Sequence, residues 1–319
     1  MHLACLGHLF LKKFRQIEKL EGSVSFDSFD LGWMISAVCQ GVSSNFKRSK
    51  ITLVKKTKFK GVEVGYTRQG VGECLVLLHG FLEDSSMWGG FVTKHSDQFD
   101  IITVDLLGHG TSDCTGYVHK MEEQAEAVLA VLKVEMVEKC VVIGHSMGGY
   151  VALAFAELYP ARLTGFGLFH STAYRDSEAK KADRERAVNA IMDHPDLFVE
   201  VTIPRLFASN RHDEMKAEIK AVIDLAKGHS PQGIIANARG MKERKDQSEL
   251  LRNASVPVLF VHGNEDPVLP NELAQKQTQG CKHITTHFID NVGHMGHLEA
   301  PEKCFNAISS FMNSFIING

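Results

Sequence analysis

Three stretches of the chain are apolar on both faces and stop at glycine or histidine: "CLVLLHGF", "DIITVDLLGHG" and "CVVIGHS". A strand with one wet face alternates apolar and polar residues. A continuous apolar run of this length instead needs cover on both faces, which parallel sheets flanked by helices supply. "LTGFGLFHS" and "VPVLFVHG" read as two further strands, and "HITTHFI" as a last one. Ahead of them, "ITLVKKTKF" and "VEVGYTRQG" read as two strands joined by a turn at Lys60-Gly61.

Helical patterns separate the runs. "HKMEEQAEAVLAVLKVEM" carries apolar residues at helical spacing with acidic residues early. "GGYVALAFAELYP" is a helix that Pro160 ends, and "PEKCFNAISSFMNSF" is a last helix opened by Pro301. Strand and helix in alternation predict an α/β fold with a doubly wound, mostly parallel sheet. Between Ser171 and about Lys245 the alternation fails, and four amphipathic segments follow one another without a strand. We therefore expect a core in two parts, 49–171 and 246–319, interrupted by a helical insertion over 172–245.

Composition removes several function classes. A chain of 319 residues with a formal charge of −3 has no basic face for nucleic acid. The basic stretch from Lys47 to Lys60 is interleaved with apolar residues and reads as a solvated strand face. The seven cysteines (Cys5, Cys39, Cys74, Cys114, Cys140, Cys281, Cys304) are scattered and odd in number, which suits reduced, cytoplasmic usage. Cys74 and Cys140, at strand starts, read as packing residues. No apolar run is long enough for a membrane span. Residues 1–48 read as an N-terminal extension of unknown role, since the charges in "LKKFRQ" follow the apolar start, the reverse of a secretory signal.

The chemistry concentrates at Gly144-His145-Ser146-Met147-Gly148, a G-x-S-x-G between a strand and a helix. In that setting the serine occupies a sharp turn, and glycines leave room where the two backbones approach. The hydroxyl then stands above the carboxyl edge of the sheet, where open α/β folds bind ligands. The alternative is that Ser146 only caps the helix. A serine nucleophile needs a base, and the base needs an orienting acid. His294, in the loop after "HITTHFI", is the expected base, ahead of His297. The H-x-x-H spacing of this pair also suits a metal, but no third ligand stands nearby, and no metal or cofactor is expected. Asp266, before Pro267 at the end of "VLFVHG", is the expected acid, with Glu265 second; Asp266 could also be only a turn former. The oxyanion hole is expected from the amides of Met147 and Phe81, although Phe81 could serve as a hydrophobic wall. Trp88, Phe198, Leu206 and Phe207 are candidate pocket residues.

The segments "LLHGF", "VDLLGHGTSD", "GHSMGGYVAL", "VHGNEDPVLP" and "GHMGHLEAPE", in this order, resemble the α/β-hydrolase superfamily, in particular its capped serine hydrolases. The resemblance covers about residue 50 to the end. It implies a Ser146–Asp266–His294 triad and gives His79, His109, His145 and His262 structural roles. Its members include esterases, lactonases, thioesterases, carbon–carbon bond hydrolases, haloperoxidases and lyases. The expected function is hydrolysis of a small to medium ester or thioester through an acyl-enzyme, with a small acyl molecule as partner and the oligomeric state left open. One alternative is a carbon–carbon hydrolase or lyase, with Arg175, Arg184, Arg186 or Arg205 binding a substrate carboxylate; those arginines could equally be a solvated helix face. Another is a non-enzymatic ligand receptor of the same fold.

Overall fold

The computed structural model describes residues 53–317. The N-terminal extension, with Cys5 and Cys39, lies outside the described residues. Eight strands form one sheet: β1 Lys55–Phe59, β2 Val62–Gly70, β3 Cys74–Leu78, β4 Asp100–Val104, β5 Cys140–His145, β6 Leu163–Phe169, β7 Val258–Gly263 and β8 Ile284–Ile289. Their order across the sheet is β1-β2-β4-β3-β5-β6-β7-β8. The first two strands are antiparallel to each other, and β2 is antiparallel to β4. From β4 to β8 every pairing is parallel.

The doubly apolar runs are explained by what covers them. On one face Val76, Val142, Phe166 and Phe260 pack against helix residues such as Val128, Leu132, Val151 and Phe155. On the other, Leu75, Leu77, Ile143 and Val261 pack against Trp88, Phe91, Ile308 and Phe311. Successive residues of β3 thus bury into different cores, as the period of two requires.

The helices in chain order are α1 Gly89–His95, α2 Met121–Val134, α3 Met147–Leu158, α4 Glu178–Asp193, α5 Pro195–Thr202, α6 Lys216–Ala226, α7 Pro231–Glu243, α8 Ser248–Arg252, α9 Asn271–Thr278, α10 Gly296–Glu299 and α11 Pro301–Ile317. The sequence patterns did not reveal α1, α8 or α9, which are short and carry little periodicity. Helices α4 to α7 occupy the expected interruption between β6 and β7. They bring their own core, in which Ile191, Val199, Ile203, Phe207, Ile219 and Ile234 are buried. Among the described residues no helix is long and apolar enough to cross a membrane.

Candidate active site

Strand β5 ends at His145 and α3 begins at Met147, which leaves Ser146 alone in the turn. Its backbone has φ 49° and ψ −110°, a conformation that side-chain-bearing residues rarely adopt. Such strain costs about 1–3 kcal/mol and persists only where neighbours impose it. Here the Ser146 N–H donates to the Phe169 carbonyl at 2.9 Å, and the Ser171 hydroxyl donates to the Ser146 carbonyl at 2.7 Å. A Cβ on Gly144 would lie 2.0 Å from the Gly148 backbone, and one on Gly148 would lie 2.7 Å from the carbonyl oxygens of Leu78 and His79. The flanking glycines therefore allow the turn to close. The Ser146 side chain does not cap α3.

The hydroxyl meets His294 instead. His294 Nε2 is 2.8 Å from Ser146 Oγ, and His294 Nδ1 is 2.8 Å from Asp266 Oδ2. A carboxylate can only accept, so the His294 proton belongs on Nδ1 and Nε2 is left to accept the serine O–H. Asp266 Oδ1 accepts the N–H groups of Val268 at 2.8 Å and Leu269 at 3.1 Å. Asp266 is thus a turn former as well as a histidine partner. Burial by itself would raise its pKa, but the His294 and His170 rings hold it well below the ordinary carboxylate range. Glu265 is exposed.

His297 goes elsewhere. Its Nε2 lies 3.4 Å from Glu83 Oε1, and burial lowers its pKa to about 4. Sequence reasoning missed Glu83. Its carboxylate, 3% exposed, accepts the Gly80 N–H at 3.0 Å and pairs with His145 Nδ1 at 2.6 Å. His145 Nε2 lies 2.9 Å from the His294 carbonyl oxygen. With acceptors at both nitrogens, His145 is placed to donate from both, as imidazolium. Burial opposes that charge, yet Glu83 raises the His145 pKa above its ordinary value; His145 in turn draws the Glu83 pKa down to about 2 against its own burial. One buried ion pair therefore joins the loop after β3, the serine turn and the His294 loop. A glutamate two residues beyond Phe81 was the only signal in the sequence.

His170 was also missed. It follows directly on β6 with φ 47°, is fully buried, and its Nδ1 lies 3.5 Å from Asp266 Oδ2. Burial lowers its pKa to about 3, which keeps the ring uncharged. Donor atoms of His170, Asp266 and His294 lie within 4.8 Å of one another, close enough for a metal. In this arrangement, however, His294 directs its nitrogens to Asp266 and Ser146. His79 and His109 tie loops together: the Nε2 atoms accept the Leu106 N–H at 2.9 Å and the Leu82 N–H at 3.2 Å. His262 is buried with its Nδ1 3.9 Å from Asp266 Oδ2.

Among the described residues, the amides of Phe81 and Met147 donate to no acceptor. The Leu82 φ of 66° turns the chain immediately after Phe81. Both amides border Ser146 by sequence or by loop: Met147 opens α3, and the Phe81 side chain lines the same cavity as Ser146. That cavity, about 470 Å³, is walled by the loop after β3 and by α4, α5 and the turn that follows α5. Phe198 and Leu206 line it as expected. Trp88 and Phe207 do not: Trp88 is buried beneath the sheet against Phe169, and Phe207 is buried inside the helical insertion. Of the four candidate arginines, Arg184 and Arg205 reach this cavity, whereas Arg186 pairs with Asp183 and is largely exposed.

Comparison with known proteins agrees with this architecture. The model of the alpha/beta hydrolase family matches residues 75–307. The pimeloyl-[acyl-carrier protein] methyl ester esterase of Nitrosomonas europaea is 28% identical over 250 residues, covering 75% of this chain and 96% of that protein. The (E)-2-((N-methylformamido)methylene)succinate hydrolase of Acinetobacter baylyi is 23% identical over 258 residues, covering 78% and 94%. Among solved structures, a thermophilic esterase from Thermogutta terrifontis, with malate bound, superposes with a TM-score of 0.77 at 30% identity, covering 82% of this chain and 98% of that one. The enol-lactonase of Burkholderia xenovorans, with a TM-score of 0.74 at 20% identity over 81% of this chain and 100% of that one, shares the fold. By the reach of the family match and by its sheet, this chain belongs to the alpha/beta hydrolase family.

Proposed function

We propose that the protein is a serine hydrolase that cleaves a small to medium ester or thioester through an acyl-enzyme, with Ser146, His294 and Asp266 as its triad. One observation carries the reading: the unbroken chain from Asp266 Oδ2 through His294 to Ser146 Oγ, with 2.8 Å at each link. Ser146 Oγ attacks the acyl carbon as its proton passes to His294 Nε2. The carbonyl π pair moves onto oxygen, and the free amides of Phe81 and Met147 receive the oxyanion. Each such donor contributes on the order of 3 kcal/mol to the transition state. Collapse breaks the bond to the alcohol or thiol, which leaves with the His294 proton. Water then gives a proton to His294 and its oxygen to the acyl carbon, and the free acid departs as Ser146 regains its hydrogen. Asp266 keeps the imidazole in the required tautomer and stabilises it while charged.

In this reading the helices of 172–245 form a cap over the acyl site, which Phe198 and Leu206 line. The esterase relatives at 28% and 30% identity support ester cleavage. The described cysteines are all free thiols, in keeping with a cytoplasmic enzyme.

Fluorophosphonate labelling with mass mapping, followed by hydrolysis of p-nitrophenyl esters from acetate to palmitate, tests the proposal. Expected are labelling at Ser146, a chain-length optimum, and a fall in kcat on the order of 10⁶ in Ser146→Ala. A Ser146→Ala variant that keeps most of its rate would refute it. Labelling without ester turnover would move the assignment to a lyase or a receptor.

A further inference from the structure

The inward side of α4 changes character along its length. Val188 and Ile191 are buried, Ile191 within the insertion core. One and two turns earlier, the half-buried positions are Arg184 and Lys180, and both line the cavity that holds Ser146. A solvated helix face would turn such cations outward, as α4 does with Arg186, whose side chain is 71% exposed. A core-facing stripe would carry apolar residues there.

Pairing within the site leaves positive charge over. Asp176, 2% exposed, receives Arg184 and Arg244, each at 2.7 Å, so two guanidinium groups share one carboxylate. Arg244 also stacks 4.0 Å from the centroid of the Tyr150 ring. Asp176 and Arg244 line the adjoining smaller cavity, and the two acids that line the Ser146 cavity are already engaged, Glu83 by His145 and Asp183 by Arg186. Among the described residues, the Lys180 ammonium and the Arg205 guanidinium have no acceptor, and both line the cavity. A second cavity of about 190 Å³ adjoins the first and shares Tyr150, Lys180, Val268 and His294 with it. Lys180 therefore stands where the two cavities meet.

We infer that the substrate is an ester or thioester bearing an anionic oxyacid group, a carboxylate or a phosphate, which Lys180 and Arg205 receive. The inference rests on the hydrolase reading and narrows it. Lys180 is half-buried and Arg205 exposed at the cavity's edge. Ammonium and guanidinium groups attract such a group, and a neutral ester of the same length would leave both cations uncompensated. The charge fixes which end of the substrate faces the cap, and so sets specificity.

The test compares esters matched in length on the full-length protein. The p-nitrophenyl monoester of a dicarboxylic acid is set against the neutral monocarboxylic ester. Separately, a short acyl-coenzyme A thioester is set against its neutral N-acetylcysteamine analogue. At least one charged member should exceed its neutral partner by tenfold or more in kcat/KM, mainly through KM, and the advantage should shrink as salt rises. Which pair shows it distinguishes a carboxylate from a phosphate. In Lys180→Met and Arg205→Met the charged-to-neutral ratio should fall by about tenfold or more. Neutral esters turned over as fast as charged ones, or a ratio unchanged in both variants, would overturn the inference and leave the hydrolase reading standing. No turnover of any ester by the unmodified protein would overturn both.

Discussion

The edge of the sheet at Ser146 and the helical insertion between β6 and β7 treat polar groups in opposite ways. At the sheet edge the polar groups are buried and the reacting ones are matched: Asp266 with His294, Glu83 with His145 and Gly80, the Ser146 carbonyl with Ser171, while the His262 ring and His170 Nε2 have no hydrogen-bond partner among the described residues. Backbones there approach so closely that a single methyl group has no space. In the insertion, most ion pairs lie at the surface and contribute little to stability. There Arg184 pairs with Asp176, but Lys180 and Arg205, which line the cavity, have no acceptor among the described residues. The first region suits chemistry, which needs atoms held to fractions of an ångström. The second suits selection among substrates, which needs groups that only a ligand satisfies. The comparison predicts that changes at the sheet edge act on kcat and stability, and changes in the insertion on KM and preference.

The sharpest way to break the comparison is Asp266→Asn. An amide can present N–H to His294 Nδ1 and reverse its tautomer, so kcat should fall by about 10⁴ with KM changed only a few-fold. Steady-state kinetics on the best ester decide it; a change confined to KM would contradict the division drawn above.

Glu83→Gln comes next and acts on the fold. Removing one partner of a buried ion pair costs about 3 kcal/mol or more. The pH dependence follows from both partners. The Glu83 pKa is depressed from 4.5 to about 2, so its contribution is complete above pH 4.5 and is lost as pH falls towards 2. The His145 pKa is raised from 6.5, so its contribution is complete below pH 6.5 and is lost as pH climbs through the raised value. The gap in melting temperature between wild type and Glu83→Gln should therefore be widest between pH 4.5 and 6.5 and close on both sides. A gap independent of pH would mean that the pair is not ionised.

Gly148→Ala is smaller. Its methyl group would press on the carbonyls of Leu78 and His79, 2.7 Å away, and α3 must shift. A loss of about 1–3 kcal/mol is expected in denaturant unfolding. With it kcat should fall by up to about 10²-fold, because Ser146 and the Met147 amide move with the helix.

The smallest effect belongs to the insertion. Leu206→Ala should enlarge the cavity, shift the acyl-length optimum upwards by one or two carbons, and change kcat/KM by about tenfold or less. A collapse of kcat on every ester would mean that the insertion takes part in chemistry as well as in selection.

How much of this was legible in the residues follows from the range of the interactions involved. Strand runs, the strand–serine–helix turn and the order Ser146, Asp266, His294 are patterns of neighbours along the chain. The requirement that parallel strands be buried on both faces writes itself into consecutive residues, and the turn demands glycine at stated offsets. The glycines at 144 and 148 could therefore be given their reason before any coordinates. Helices α1, α8 and α9 were not legible, because five to eight residues hold too few turns for a period to stand out.

Other features were decided only by packing between distant segments. Glu83 meets His145 across 62 residues, and His145 meets the His294 carbonyl across 149. Nothing local distinguishes Glu83 from a surface glutamate, or His170 from the end of any strand. Trp88 and Phe198 are equally apolar, yet one fills the core beneath the sheet and the other lines the cavity. Arg184 and Arg205 carry the same charge, yet only Arg184 finds Asp176. The sequence by itself determined the sheet and the turn that presents Ser146, since short-range sterics and periodic burial demand them. The tertiary structure decided which buried charges are matched and which cations are left for a ligand, because a charge is compensated only by what folding brings within a few ångströms of it.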